Sequence, residues 1–350
     1  MKKLKLKYEA IVYGLQHMEK DYSVDEFAFK LKPIDLKKYA EVFNANPYLA
    51  NPNLFNWLIQ FEGDEKHYYC CFENDEPIEI EVSNKIGDSK GKIKKYVEKN
   101  VDELCNKVLY LEKVLRLVTN LDIHIPLINF IVYDEKMEFV VRPFLVRDFS
   151  PLDHASRFSE KNWKLQTSRL NLHINWGLMT KIMSGNKEYI RALDYFNESF
   201  SVNKTPVKLL CLFASLESLF NYDKEKIAEK VSTYTSKLFF DKDRKDEIYS
   251  RIKKLYDERS KYIHGTRTDR ITYALYDELK EFVRVILLNY WFVSMYHEVK
   301  DNSQMISFLD EEKPLNINTQ FAIRAIKETD YTKFYSDVRE KLESGVTDIF

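Results

Sequence analysis

The chain has 350 residues, with 45% apolar and 31% charged residues and a formal net charge of -1. That length predicts about two domains, each able to bury its own core, and the composition excludes wholesale disorder. The near-neutral balance also excludes a uniformly basic surface, so any contact with nucleic acid has to come from a local patch. Gly and Pro number only 8 and 9 against 23 Tyr and 23 Phe, which predicts few flexible linkers and many aromatic anchors. Cys70, Cys71, Cys105 and Cys211 form no C-x-x-C pair, the pattern of reduced thiols, so no disulfide framework, metal site or cofactor is expected. The basic stretch Met1-Lys-Lys-Leu-Lys-Leu-Lys7 leads into no apolar core, unlike a signal peptide. The longest apolar stretches, 209–220 and 283–296, are shorter than a membrane span, so the expectation is a cytoplasmic protein with no membrane partner.

Residues 1–150 read as an α+β domain. Leu4, Leu6 and Tyr8 alternate with lysines, and Phe27, Phe29 and Leu31 alternate with smaller or charged residues, the period of half-buried strands. The segments 67–72 and 78–82 flank Glu73-Asn-Asp-Glu-Pro77, which predicts a hairpin. Val101, Leu104, Val108, Leu111, Leu115 and Val118 predict a helix over 95–119. A second hairpin is predicted from 127–133 and 137–146 around Asp134-Glu135-Lys136.

Arg147-Asp-Phe-Ser-Pro-Leu-Asp153 breaks the pattern and is the expected boundary with a mainly helical domain over 151–350. A first helix over 186–200 carries Ile190, Leu193, Phe196 and Phe200 on one face. Thr205-Pro206 is a helix-start signal for a very apolar helix over 207–220. Asn221-Tyr222-Asp223 ends it and offers a cap for the next helix, about 224–239. A charged helix over 242–264 stops at Gly265, and a long helix over 273–299 is apolar nearly all round between Val283 and Tyr296, as suits the centre of a bundle.

On the charged helix, Ile248, Ile252, Leu255, Arg259 and Ile263 follow one another at spacings of three and four. Arg259 therefore falls in the line of the buried stripe, where an unpaired guanidinium is costly. His264 precedes Gly265, a natural C-cap, and an imidazole there sees the negative end of the helix dipole. Ser260 lies one turn below His264 on the same face and is placed to orient it. Five residues turn a helix by about 140°, so Arg259 and His264 meet only at a frayed end or across a two-fold axis. Glu217, a carboxylate in an otherwise apolar helix, is the expected partner of Arg259, in a supporting or a purely structural role. The lysines between 242 and 261 read as a solvated face first and an RNA guide second.

Arg259-Ser-Lys-Tyr-Ile-His264-Gly265, with Tyr256 three residues before the arginine, resembles the R-polar-x3-H motif of HEPN domains. More narrowly it is similar to the Apea-like subgroup, whose pattern reads Tyr-x-x-Arg-Ser-x-x-x-His-Gly. Phe213-Ala-Ser-Leu-Glu217-Ser-Leu-Phe220 resembles the Leu-Glu-x-Leu-Phe helix of that subgroup, and Arg191-Ala-Leu-Asp-Tyr-Phe-Asn197 its first helix. The resemblance covers about 185–300, roughly a third of the chain. It implies an antiparallel helical bundle and a metal-independent endoribonuclease, often a toxin or phage-defence effector, that works on RNA as a homodimer with both motifs facing one cleft. Cleavage beside a ribose 2′-OH needs a base, an acid and positive charge on the phosphorane. Arg259 is the candidate for the charge, His264 for acid or base, and Ser260 for orienting the histidine, with Glu217, Tyr256 and Gly265 in support. The alternative is a non-catalytic HEPN module for dimerisation or for binding RNA or protein. In the ribonuclease reading residues 1–150 sense or position an unidentified ligand or protein; a third reading gives residues 1–150 an activity of their own, with the helices assembling it.

Overall fold

The computed structural model describes 2–13, 22–24, 29–34, 69–74, 78–82, most of 105–117, 123–133, 139–141, 144–146, 186–202, 204–220, 225–264 and 273–326. The chain divides into two compact units, Met1–Thr167 and Ser168–Phe350. The expected boundary, 147–153, lies outside the described residues.

The first unit is organised round one long strand, β1 (Lys2–Tyr13). With β2 (Tyr22–Val24), β3 (Phe29–Ile34), β4 (Tyr69–Asn74), β6 (His124–Tyr133) and β7 (Phe139–Val141) it forms the order β2-β3-β4-β1-β6-β7. Two further strands, β5 (Ile78–Val82) and β8 (Phe144–Val146), pair with β1 and β6. Ala10 and Val12 of β1 and Ile128 of β6 are buried, with Ala10 opposite Ile128. The second predicted hairpin forms, with Val132 opposite Val141. The first does not.

β4 and β5 both run antiparallel to β1, along the edge that β6 leaves open, with Glu9 opposite Glu73 and Leu6 opposite Ile78. From Glu73 to Ile78 the chain takes 5 steps while β1 takes 3 from Glu9 to Leu6, so the two strands are one line with an interruption. Pro77 has no N–H to give a ladder, which suits an interruption as well as it suits a turn.

The described part of the predicted helix, within 105–117, buries Val108, Leu115 and Leu117. It also buries an ion pair, Glu112–Arg116, at 3.1 Å. Buried charges need full hydrogen bonding to be tolerated. Arg116 Nε donates to the Ile123 carbonyl at 2.6 Å, Arg116 Nη2 meets His124 Nδ1 at 2.9 Å, and Glu112 accepts from the Ile125 N–H at 2.7 Å. His124 is thereby tied into the wall of this unit.

The described residues of the second unit are mainly helical. We label them α1 (Lys187–Ser201), α2 (Thr205–Phe220), α3 (Ile227–Leu238), α4 (Lys245–Ile263), α5 (Tyr273–Tyr296), α6 (Asn302–Asp310) and α7 (Ile317–Ile326). Asn186 caps α1 by accepting from the Tyr189 N–H, and its Nδ2 donates to the Tyr290 hydroxyl. That hydroxyl donates to Asn302, whose Nδ2 reaches the Ser218 carbonyl, so one largely buried polar chain joins α1, α5, α6 and α2. Pro206 lies in the first turn of α2, where a missing N–H costs nothing. α5 buries Leu279, Phe282, Val283, Ile286, Leu287 and Val293, in keeping with its apolar sequence. Among the described residues no helix is long and apolar enough to cross a membrane.

Candidate functional site

Ile248, Ile252 and Leu255 of α4 are fully buried, and Tyr256 is nearly so. There the stripe ends. Ile263, which continues it on paper, is 47% exposed. α2 meets this stretch of α4 through Glu217, which lies near Arg259. The last turn of α4 presents Tyr262, Ile263 and His264 at the surface.

Arg259 meets Glu217 as the sequence suggests, but loosely. Its Nη2 is 3.3 Å from Glu217 Oε1, and the two side chains are 24% and 22% exposed. Tyr256 stands between them. Its hydroxyl donates to the same Glu217 oxygen at 2.6 Å and accepts from Arg259 Nη1 at 3.3 Å. The guanidinium also lies 5.0 Å from the centre of the Tyr256 ring, a cation–π distance, and that ring packs edge-on against Phe213. Burial, the bond to Glu217 and the Glu217 charge all push the Tyr256 hydroxyl above the usual tyrosine range, with Arg259 pulling it down. The phenol therefore remains a donor at any physiological pH. Arg259 Nε is buried with no partner.

A second arginine on the same helix provides a contrast. Arg251 closes a fork on Glu278 of α5, with Nε and Nη2 each 2.6 Å from a carboxylate oxygen, and the Glu278 side chain is only 4% exposed. Such a bidentate pair is a short, geometrically matched structural tie. Arg259 instead makes two looser contacts of 3.3 Å, one to Glu217 and one to the Tyr256 hydroxyl.

His264 is the C-cap of α4 (φ -84, ψ 4), and its N–H donates to the Ser260 carbonyl at 3.0 Å. Its imidazole is exposed and bonds to none of the described residues. Ser260 meets His264 through that carbonyl; its hydroxyl has no partner among the described residues. Gly265 lies outside the described residues. Within one chain, then, the fold brings Arg259, Glu217 and Tyr256 together and leaves His264 apart on another side of the helix. Lys253 and Lys254 are exposed, Lys253 against the Tyr249 ring, while Lys261 pairs with Glu258 at 3.1 Å. The phenol that completes the Arg259 cluster has a visible signal in the sequence, since Tyr256 and Arg259 are three apart and so share a helix face.

Compared with family models, with curated proteins and with solved structures, the chain matches none. What remains is chemistry. Among the described residues α4 offers a partly exposed Arg259 side chain and, apart from it, an exposed His264 imidazole.

Proposed function

We propose that this chain is an endoribonuclease of HEPN type, with an α+β domain over 1–150 and a HEPN bundle over 151–350. The observation that carries this is the contrast on α4: Arg251 is closed on Glu278, whereas Arg259 is held by single, longer contacts one turn from an exposed histidine. A phosphodiester needs a cation with free N–H groups, and proton transfer needs an accessible imidazole. Arg259 stabilises charge on the phosphorane, His264 moves the proton, and the ribose 2′-hydroxyl is the nucleophile. One imidazole cannot readily serve as both acid and base in one turnover. Two copies whose α4 ends face each other supply two, and exposed Tyr262 and Ile263 beside His264 give that end an apolar surface for a partner copy.

The ion pair between Arg259 and Glu217 favours a second reading, a non-catalytic module in which the motif is structural. Purified protein incubated with single-stranded RNA and EDTA separates the two. The ribonuclease cuts RNA into products ending in 2′,3′-cyclic or 3′-phosphate and leaves single-stranded DNA intact. The binding module cuts neither.

A further inference from the structure

We infer that Tyr256 is a positioning residue whose hydroxyl holds the Arg259–Glu217 pair half-open, keeping Arg259 available to a phosphodiester. The phosphodiester part rests on the ribonuclease reading; the half-open pair does not. The two arginines of α4 define the alternatives. Arg251 shows what a side-on fork looks like on this helix: Nε and Nη2 each take one oxygen of Glu278. Arg259 has the first half of that fork, Nη2 near Glu217 Oε1, and lacks the second, since its Nε is buried without a partner. A buried N–H left unpaired is costly, so something must prevent the carboxylate from turning to meet it.

Tyr256 is placed to do so. Its 2.6 Å bond to Glu217 Oε1 is a short, charge-assisted O–H···O contact, stronger than the 3.3 Å approach of Arg259 to the same oxygen. The ring that carries the hydroxyl cannot swing away, being wedged between Phe213 (5.0 Å, 76° between planes) and the Arg259 guanidinium. Without the hydroxyl, Glu217 is free to rotate onto Nε and Nη2. Arg259 would then become a second Arg251, with its charge matched side-on by a carboxylate.

Tyr256→Phe tests this, because it keeps the ring, its contact with Phe213 and the cation–π face. The expected result is a melting temperature unchanged or raised, together with a fall in cleavage at saturating single-stranded RNA of on the order of 10-fold, the worth of one charge-assisted hydrogen bond. Adding Glu217→Gln to Tyr256→Phe should restore much of the rate, since a neutral amide cannot neutralise Arg259. An independent readout is the Arg259 Nε–H signal in ¹⁵N NMR, whose exchange with water should slow in Tyr256→Phe as the fork closes. If the wild type cuts no RNA, the ribonuclease reading fails and the Nε–H signal still decides the half-open pair. An unchanged Nε–H exchange in Tyr256→Phe overturns the inference. So does a loss of activity that tracks a lowered melting temperature and is not rescued by Glu217→Gln, which would mark a merely structural tyrosine.

Discussion

Arg251 and Arg259 lie about two turns apart on α4 and meet their carboxylates differently, so their loss should cost different amounts. Arg251→Ala removes the bidentate partner of the buried Glu278, and removing one partner of such a pair typically costs about 3–5 kcal/mol. Arg259→Ala leaves Glu217 with the Tyr256 hydroxyl and partial access to water, so about 1 kcal/mol is expected. His264→Ala removes an exposed side chain at a helix end and should cost within about 1 kcal/mol. Urea unfolding of the three variants checks the order; Arg259→Ala as costly as Arg251→Ala would contradict the half-open geometry. His297 tests a different part of the second unit. Burial lowers its basicity, and its Nε2 accepts from the Asn316 N–H at 3.4 Å, which requires the neutral ring. With the folded value below the ordinary 6.5, the unfolded chain takes up the proton first. Stability should therefore hold above pH 6.5 and fall as pH drops through and below it. His297→Phe, which preserves ring packing on Phe308, should show a shallower acid-side drop in melting temperature than wild type. Identical acid slopes would rule His297 out as the source.

At the scale of elements, α4 decides the character of the candidate site, because its last turn is exposed while its preceding turns are buried. Tyr262 and Ile263 are exposed apolar residues on either side of no cover, and a second copy at this end would bury them. If two copies pair at this end as proposed, wild type should sediment as a dimer, and Tyr262→Ser combined with Ile263→Ser should leave the melting transition near that of wild type while giving a monomer. A dimer that survives the double change would place the interface elsewhere. Much of α4 was legible beforehand: Ile248, Ile252 and Leu255 announce their burial by spacing, and Glu217 announces itself as the carboxylate in an apolar helix. Ile263 misleads because the apolar periodicity of α4 continues after its burial stops. Arg251 and Glu278 were invisible for the opposite reason, since charges on long helices usually face water and only a fold pairs residues 27 apart. The interruption between β4 and β5 was read as a hairpin because Asn, Asp and Pro serve both purposes, and only the register against β1 separates them.

For the whole molecule, a formal charge of -1 gives no general attraction to RNA, so the proposed RNA contact has to come from a local patch, for which the α4 end is the candidate. Lys253 and Lys254, exposed on the same helix, can add phosphate contacts, in which case RNA affinity should weaken with salt, and Lys253→Ala with Lys254→Ala should flatten that dependence. The most direct measurement is end-group analysis of single-stranded RNA treated, in EDTA, with wild-type protein and with His264→Ala at equal folded concentration. The expected result is fragments ending in 2′,3′-cyclic or 3′-phosphate from the wild type, with His264→Ala at least ~100-fold slower, the lower end for loss of an acid–base group. Equal rates from the two proteins, or DNA cut as readily as RNA, would contradict a ribonuclease built on Arg259 and His264.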